Sequence, residues 1–116
     1  MYRNRKEIED SLRYDIGLGW IPTVADLIEE IEKIHTDWSL DQVKEKFGGL
    51  RFYYSTGPKF PQDSLSRLER LVNAAEDKCS ALCEVCGSPG KIRQEMPWLK
   101  CLCLGCMERS NDRSAV

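Results

Sequence analysis

The sequence predicts an α+β fold in which two helices surround a β-hairpin and a small cysteine-rich module ends the chain. Apolar residues recur at helical spacing in two stretches, residues 22–34 and 64–80. Between these stretches a Gly-Gly pair separates two short strand-like runs, as the turn of a hairpin does. Two Cys-x-x-Cys pairs follow the second helical stretch. We therefore expect a helix–hairpin–helix domain over residues 1–80 and a cysteine-rich module over residues 81–116, packed on that domain.

Residues 1–16 mix charges with a thin apolar edge. Ile8, Leu12 and Ile16 are spaced by four residues, which suits a short helix, but a flexible lead-in fits the pattern equally well. Basic side chains near the start are followed at once by acidic ones, so we expect them to be solvated rather than to hold phosphate. These basic residues are Arg3, Arg5 and Lys6.

The first long helix is predicted from a turn that ends in a proline. Residues 17–21 contain two glycines and a tryptophan, and Pro22 then suits the first turn of a helix, where its missing N–H costs nothing. The helix should extend to Ile34 or His35. Its buried stripe is predicted to consist of Val24, Leu27, Ile28, Ile31 and Ile34.

The opposite side of this helix is acidic. Such a face can meet a basic partner or imitate a phosphate backbone, but most acidic faces are simply solvated, and we expect that here. His35 is the only histidine, and no serine or cysteine nucleophile can be assigned to it. We therefore predict neither a general base nor a zinc ligand at His35. The acidic residues are Asp26, Glu29, Glu30 and Glu32.

The central hairpin is predicted over residues 42–54, with Gly48 and Gly49 as a two-residue turn. A competing interpretation makes Ser39 an N-cap, with Gln42 completing a capping box and Gly48 ending a helix. We favour the hairpin. Its mostly apolar face would pair Phe47 with Leu50, Glu45 with Phe52 and Val43 with Tyr54.

The other face of the hairpin gives the strongest indication of a binding surface in the chain. Lys44, Lys46, Arg51 and Tyr53 fall on it, and Lys46 would stand directly opposite Arg51. Two like charges opposite one another cost stability unless an acid or an anion lies nearby. These four residues are therefore a candidate binding surface.

The second long helix should begin with a cap at Asp63 or Ser64 and extend to about Ser80. We interpret this helix as a scaffold that leads directly into the cysteine-rich module. Its inner face is predicted to carry Leu65, Leu68, Leu71, Val72, Ala75 and Cys79. Its water-facing side is predicted to carry Arg67, Glu69, Arg70, Glu76, Asp77 and Lys78.

Two Cys-x-x-Cys pairs, Cys83 with Cys86 and Cys103 with Cys106, predict a zinc site. Zinc takes four tetrahedral ligands and accepts thiolates well, and each Cys-x-x-Cys turn lets two sulfurs converge on one ion. Gly87 supplies the backbone angle that such a turn needs. Because four thiolates leave no open position for water, the predicted zinc is structural. A disulfide framework, a rubredoxin-type iron centre and plain buried thiols are the alternatives.

The segment between the cysteine pairs contains a turn and a possible short hairpin, and the second pair leads into a short helix. A knuckle, a hairpin and a second knuckle at a helix start describe a treble-clef or zinc-ribbon finger. Cys101 and Cys103 would face the same side of a strand, so Cys101 could replace Cys103 as a ligand. Cys79 is expected to pack as a small apolar side chain.

Charge and composition bound the class of protein. The 116 residues carry a formal net charge of −2, and four thiolates around Zn²⁺ would make it more negative. Nucleic-acid binders usually present a basic face, which this balance disfavours. The sequence contains no signal-peptide pattern and no stretch long enough to span a membrane, so we expect a cytoplasmic protein with reduced thiols.

Two blocks of the sequence, "QVKEKFGGLRFYYS" and "CEVCGSPG", together resemble an uncharacterised family of small bacterial and phage proteins. The upstream "GLGWIP" is similar to a segment that precedes the first helix in the same family, so the resemblance covers about residues 17–106. In that family the second knuckle often ends in histidine, whereas this chain has Cys106. The resemblance implies the fold and the metal site, and its distribution suggests a role in conflict between phage and host.

These observations predict a non-enzymatic, zinc-stabilised protein that binds another protein, with a phage or host-defence component as one candidate partner. Trp20 and Trp98 are candidate aromatic anchors for such a partner, and burial in the core is their alternative; we favour it for Trp98. A nucleic-acid-binding zinc finger is the second hypothesis. It would use the basic residues of the hairpin together with Lys91, Arg93, Lys100, Arg109 and Arg113. An enzyme is the third, but no nucleophile–base pair or acid cluster has matching spacing.

Overall fold

The computed structural model describes residues 2–114 and the side chains of residues 2–110. Over this range the chain is α+β, with four α-helices and two small antiparallel hairpins, and none of these helices is long and apolar enough to cross a membrane. A single 3₁₀ turn over Gln62–Ser64 precedes the third helix. In chain order the elements are α1 (Arg5–Leu12), α2 (Ile21–Ile34), β1 (Trp38–Lys46), β2 (Gly49–Thr56), α3 (Leu65–Cys79), β3 (Lys91–Ile92), β4 (Cys101–Leu102) and α4 (Leu104–Ser114).

The first segment forms a helix rather than a flexible lead-in. The side chain of Asn4 caps α1 by accepting a hydrogen bond of 2.9 Å from the backbone N–H of Glu7. Ile8 and Leu12 are buried on the inner side of this helix, and Ile16 is buried in the turn that follows. The four-residue apolar spacing therefore places one edge of α1 in the core.

The helical prediction for residues 22–34 is confirmed by α2, which begins one residue earlier and ends at Ile34. Pro22 lies in its first turn, as expected. His35 follows the helix in an extended conformation, and its Nδ1 accepts a hydrogen bond of 2.9 Å from the backbone N–H of Asp37.

The acidic face of α2 is not simply solvated, because neighbouring side chains pair with it. Arg5 of α1 reaches across to Asp26, at 2.7 Å, and to Glu29. The hydrogen bond to Asp26 is the largest of the effects that raise the pKa of the Arg5 guanidinium. Together with the bond to Glu29 it outweighs desolvation, which lowers that pKa. The other two acids are also held: Lys33 pairs with Glu30 at 2.8 Å, and Glu32 accepts a hydrogen bond of 2.8 Å from the indole of Trp38.

The hairpin prediction is right, and the helix alternative for residues 39–48 is wrong, but the predicted register is also wrong. The turn is Phe47-Gly48, with φ of 54° and 83°, so both turn residues have the positive φ of the favoured two-residue hairpin turns. Lys46 is thereby paired with Gly49, and Phe47 is 65% exposed instead of facing the core. The observed pairs nearest the turn are Glu45 with Leu50, Lys44 with Arg51 and Val43 with Phe52.

Hydrogen bonding and packing explain this register. The carboxylate of Glu45 accepts a hydrogen bond of 2.7 Å from the backbone N–H of Gly48, which fixes the turn one residue earlier than predicted. Val43 and Phe52 are then directly opposite one another and both are buried. Within the predicted hairpin, each residue of β1 is opposite a residue of β2 that is two positions earlier than predicted. Because side chains alternate between the two faces, a shift of two positions leaves each side chain on its predicted face. Phe47 is the exception, since it lies in the turn.

The third helix extends over Leu65–Cys79 as predicted, but no side chain caps its start, since the 3₁₀ turn leads into it instead. One residue predicted to face water, Glu76, accepts a hydrogen bond of 3.1 Å from the backbone N–H of Phe52 in β2. This carboxylate thus links α3 to the hairpin through the backbone of β2. The buried residues of α3 are Leu68, Val72, Ala75 and Cys79.

The buried residues form two clusters. The larger cluster joins α1, α2, α3 and the hairpin, and it also includes Cys101 of β4. The smaller cluster consists of Cys83, Leu102 and Cys106, with partly buried apolar neighbours from the C-terminal segment. Cys101 and Leu102 are adjacent in one strand, so β4 contributes a side chain to each cluster.

Candidate metal centre

The first cysteine pair lies in a tight turn directly after α3. The backbone N–H of Gly87 donates to the carbonyl of Cys83 at 2.9 Å, and the N–H of Cys83 donates to the carbonyl of Ser88 at 2.7 Å. Gly87 has a φ of +81°, a conformation that side chains rarely adopt, so glycine is required there. These bonds hold Cys83 and Cys86 on one side of the turn.

The second pair is placed at the start of a helix. Cys103 directly precedes α4, and its sulfur accepts a hydrogen bond of 3.4 Å from the backbone N–H of Cys106 in the first turn. The strand–helix junction therefore brings the sulfurs of Cys103 and Cys106 together at the start of α4.

The four sulfurs lie close enough together to hold one metal ion. The Sγ atoms of Cys83, Cys86, Cys103 and Cys106 are all within 4.8 Å of one another. In a tetrahedral ZnS₄ site with Zn–S bonds of about 2.3 Å, neighbouring sulfurs are about 3.8 Å apart. The distance from Cys86 Sγ to Cys103 Sγ is 3.7 Å. The donor set thus fits a metal ion of this coordination.

Protonation differs among these thiols because their burial and their hydrogen-bond partners differ. Hydrogen bonds from the hydroxyl and backbone of Ser88 lower the pKa of Cys86 to about 6. Burial raises the pKa of Cys83, but backbone hydrogen bonds outweigh that effect and the net shift is downward. Burial and hydrogen bonds with the other three cysteines raise the pKa of Cys106 to about 12. A cation among the sulfurs would favour the thiolate at every position.

Arg109 is part of the surroundings of this site, although the sequence suggested only a nucleic-acid contact for it. Its Nη2 donates a hydrogen bond of 3.0 Å to the sulfur of Cys106, one helical turn earlier in α4. This bond is the main cause of the raised pKa of the Arg109 guanidinium. A cation is thereby fixed beside one ligand of a site that would carry excess negative charge.

Cys101 lies outside the cluster of ligand sulfurs. β4 ends at Leu102 and Cys103 directly precedes α4, so Cys101 and Cys103 do not share a strand face, and that expectation is wrong. The Cys101 thiol is fully buried and donates to the carbonyl of Leu82 at 3.0 Å. Burial raises its pKa to about 11 and that of Cys79 to about 12, so both remain neutral thiols near neutral pH.

The segment before α2 packs directly on the first cysteine turn. The backbone N–H of Gly19 donates to the carbonyl of Glu84 at 3.0 Å, and a Cβ on Gly19 would lie 2.0 Å from the carbonyl oxygen of Cys83. Trp20 is completely buried, and its Nε1 donates to the carbonyl of Leu82 at 2.8 Å. The close glycine spacing in residues 17–19 was the available signal for this contact, which the sequence analysis missed.

Trp20 is therefore not part of a binding surface, and that prediction is wrong. The preference for Trp98 is also wrong, because it is 69% exposed in the loop between β3 and β4. The remaining four candidate surface residues lie together on one side of the hairpin. We refer to this side as the outer face; it consists of Lys44, Lys46, Arg51 and Tyr53.

The outer face carries a like-charge pair, but not the predicted one. Lys44, rather than Lys46, lies directly opposite Arg51. Within residues 2–110, whose side chains are described, neither member of this pair makes an ion pair. The ammonium of Lys46 lies over the Phe47 ring, 5.6 Å from Nζ to the centroid. Tyr53 is 45% exposed beside them.

The basic residues of the C-terminal segment are mostly engaged within the chain. Lys100 pairs with Glu84 at 3.2 Å, and the side chain of Arg93 donates to the carbonyl of Leu102 at 3.0 Å. Arg109 is held by Cys106. Lys91 is exposed, and the side chain of Arg113 lies outside the described part of the chain.

No protein-family model, curated protein or solved structure matches this chain. The resemblance to a family of small bacterial and phage proteins stays a prediction, as does the division at residue 80. What the structure establishes is an α+β chain with four cysteines positioned to hold a metal ion.

Proposed function

We propose that this protein is a zinc-stabilised module of the treble-clef type that binds another protein through the outer face of its hairpin. The order of elements supports the treble-clef assignment: a cysteine turn, the β3–β4 hairpin, and α4 with the second cysteine pair at its start. Four sulfurs at tetrahedral spacing favour zinc, which takes closed four-thiolate sites in structural modules. The free energy of zinc binding would stabilise a segment whose own buried cluster is small.

The binding role rests on the unmatched charge of the outer face. Lys44 and Arg51 lie directly opposite one another with no acid paired to either among the described side chains. Such a pair destabilises an isolated hairpin, so its presence is accounted for if an external group neutralises it. Arginine and tyrosine are also enriched among the residues that dominate binding energy at protein interfaces.

A nucleic-acid-binding finger is the second candidate function, and two observations disfavour it. Three of the basic residues that it would use make bonds within the chain, namely Arg93, Lys100 and Arg109. The net charge of −2 would also repel a polyanion at long range. A cytoplasmic location and a phage or host-defence partner remain part of the proposal and are supported by the sequence patterns alone.

The proposal assigns no catalytic residue. A four-thiolate site has no open position for a substrate or a water molecule. The only histidine, His35, uses Nδ1 to accept a bond from the backbone of Asp37, and its ring packs edge-on against Phe60. These contacts support a structural role for His35 at the end of α2.

Affinity capture from a bacterial lysate, with nuclease present and at moderate salt, tests the binding role. We expect a stoichiometric protein partner that is lost when Lys44 and Arg51 are both changed to Glu and retained with Arg67→Glu, an exposed control on α3. Co-purification that disappears with nuclease would favour the nucleic-acid function. Metal analysis of the purified protein should give stoichiometric zinc, and iron in its place would refute that assignment.

A further inference from the structure

Two exposed apolar side chains lie near the turn of the hairpin. Phe47 projects from the turn with 65% of its surface exposed, and Ile92 of β3 is 38% exposed. A Cβ built on Gly48, next to Phe47, would lie 3.1 Å from Cγ1 of Ile92, so the hairpin turn and β3 are in contact. We define the docking face as the outer face together with Phe47 and Ile92.

We propose that the docking face binds an acidic segment of a partner protein, whose carboxylates pair with Lys44 and Arg51 while an apolar side chain packs on Phe47 and Ile92. This inference rests on the proposed protein-binding function and names the chemistry of its partner. The docking face offers both halves of such a contact, cationic side chains and exposed apolar surface, within one hairpin end.

Charge separation within the chain supports an acidic occupant. Two acids near the outer face are held within the chain: Glu45 accepts from the backbone of Gly48, and Asp41 accepts hydrogen bonds from the hydroxyls of Ser39 and Ser55. Asp15 and Asp41 line the same cleft of about 590 Å³ as Lys44, and neither forms an ion pair with it among the described side chains. An external carboxylate can relieve the repulsion between Lys44 and Arg51, which no described acid of the chain does.

The exposed apolar residues of the docking face favour a peptide over a nucleic acid as the partner. A protein that binds a nucleic acid pairs many cationic side chains with backbone phosphates, and each pair makes the affinity more dependent on salt. The outer face has three cations, and the net charge of the chain is −2. The exposed Phe47 projects from a turn conformation that a phenylalanine rarely adopts, and apolar burial against a partner gives that exposed ring a role.

Selection from a random-peptide display library on the zinc-loaded protein tests the proposal. We expect the enriched peptides to carry an excess of Asp and Glu together with a large apolar residue. Selection on the variant Lys44→Glu with Arg51→Glu should lose the acidic peptides, while selection on Arg67→Glu should return them. For a synthesised acidic peptide from the selection, the double reversal should raise the apparent Kd by about tenfold or more.

Three outcomes would overturn the proposal. The first is an enriched set with no acidic excess, or no enrichment at all. The second is equal enrichment of the same peptides on the charge-reversed variant. If the protein partner captured from lysate nevertheless persists on that variant, the protein binds a partner, but through neither the outer face nor the docking face. The third is an oligo-dT probe that binds more tightly than the peptide and is lost on charge reversal, which would replace the protein-binding function itself.

Discussion

The indole Nε1 of Trp20 donates a hydrogen bond of 2.8 Å to the carbonyl oxygen of Leu82, the residue directly before the first cysteine of the metal-binding cluster. Trp20 is also the N-cap of α2 and is completely buried. A side chain at the start of the central helix therefore contacts the backbone of the cysteine turn. The main core and the metal centre are joined at this point, so a change on one side should be felt on the other.

The substitution Gly19→Ala should disrupt this junction. A Cβ at Gly19 would lie 2.0 Å from the carbonyl oxygen of Cys83 and 2.5 Å from the backbone N of Gly87, and backbone atoms cannot move aside as a side chain can. We expect a loss of about 2–4 kcal/mol in the free energy of unfolding. Urea denaturation followed by tryptophan fluorescence would measure it, with zinc retention measured in parallel.

A matched control for that prediction is Gly105→Ala. A Cβ there would have only Nη1 of Arg109 within 4 Å, at 3.8 Å, and Gly105 lies in α4, where alanine is preferred. The same change of residue should therefore be neutral or stabilise the protein by up to about 1 kcal/mol. Equal losses at both glycines would mean that the contact with the cysteine turn is not the cause.

Alanine substitutions should separate ligand cysteines from packing cysteines. Cys103→Ala removes a sulfur from the cluster, so zinc should be lost and the C-terminal third of the chain should unfold. Cys101→Ala should keep full zinc, because that thiol bonds to the carbonyl of Leu82 and not to the metal-binding cluster, but it should cost about 1–3 kcal/mol through lost burial and a lost hydrogen bond. The zinc content per mole of each variant shows which cysteine is a ligand. Full zinc in the Cys103 variant would return the ligand role to Cys101.

Arg109→Gln should weaken metal binding without removing a ligand. The guanidinium donates a hydrogen bond of 3.0 Å to Cys106 Sγ, and groups that bond to metal ligands commonly affect metal affinity about 10–100-fold. We expect faster zinc transfer to a chelator and an affinity reduced by about tenfold. Arg70→Gln, an exposed arginine on α3, should behave as the unsubstituted protein. Unchanged transfer in the Arg109 variant would show that the bond does not stabilise the site.

Stability should fall at alkaline pH because of a buried thiol in α3. Burial raises the pKa of Cys79 to about 12, whereas an unfolded cysteine ionises at about 8.5. The raised pKa contributes stability that is present below about 8.5 and is lost as the pH rises towards 12. In this window Cys79 lowers the free energy of unfolding by up to about 1.4 kcal/mol per pH unit. Denaturation curves of Cys79→Ala should lack this component, and parallel slopes for the two proteins would exclude it.

The parts of this fold that follow from one-dimensional patterns were predictable, and those that depend on packing between distant segments were not. The stripe from Val24 to Ile31 fixes α2, and cysteine spacing identifies the cluster, because helix period and ligand spacing are local properties. The hairpin turn was misplaced because both Phe47-Gly48 and Gly48-Gly49 can provide a two-residue turn. The bond from Gly48 to the side chain of Glu45 selects the former, and no sequence pattern indicates it.

The burial of Trp20 and the exposure of Trp98 also depend on contacts between distant segments. Trp20 is buried because α2 begins against the cysteine turn, sixty-two positions away in sequence from its hydrogen-bond partner Leu82. Trp98 is exposed because the loop between β3 and β4 carries it away from both buried clusters. Residue type alone favours burial for either one. Their environments come from tertiary contacts that neighbouring residues do not specify.

The substitution Phe47→Asn should stabilise the hairpin and weaken the docking face at the same time. Phe47 has a φ of 54°, and a side chain in that region costs about 1 kcal/mol that asparagine largely avoids in this type of turn. The contact of Lys46 with the Phe47 ring is worth about 0.5 kcal/mol at an exposed site. The free energy of unfolding should therefore rise by about 0.5 kcal/mol.

Binding should change in the opposite direction, because the proposed partner loses its apolar contact. The apparent Kd of the selected acidic peptide should rise by at least about fivefold. Leu18→Asn removes an apolar side chain that is 68% exposed and lies outside the docking face, and it should alter neither quantity. A gain in stability with unchanged peptide affinity would show that Phe47 serves the turn alone, since a ring that a partner covers cannot be removed without loss of binding.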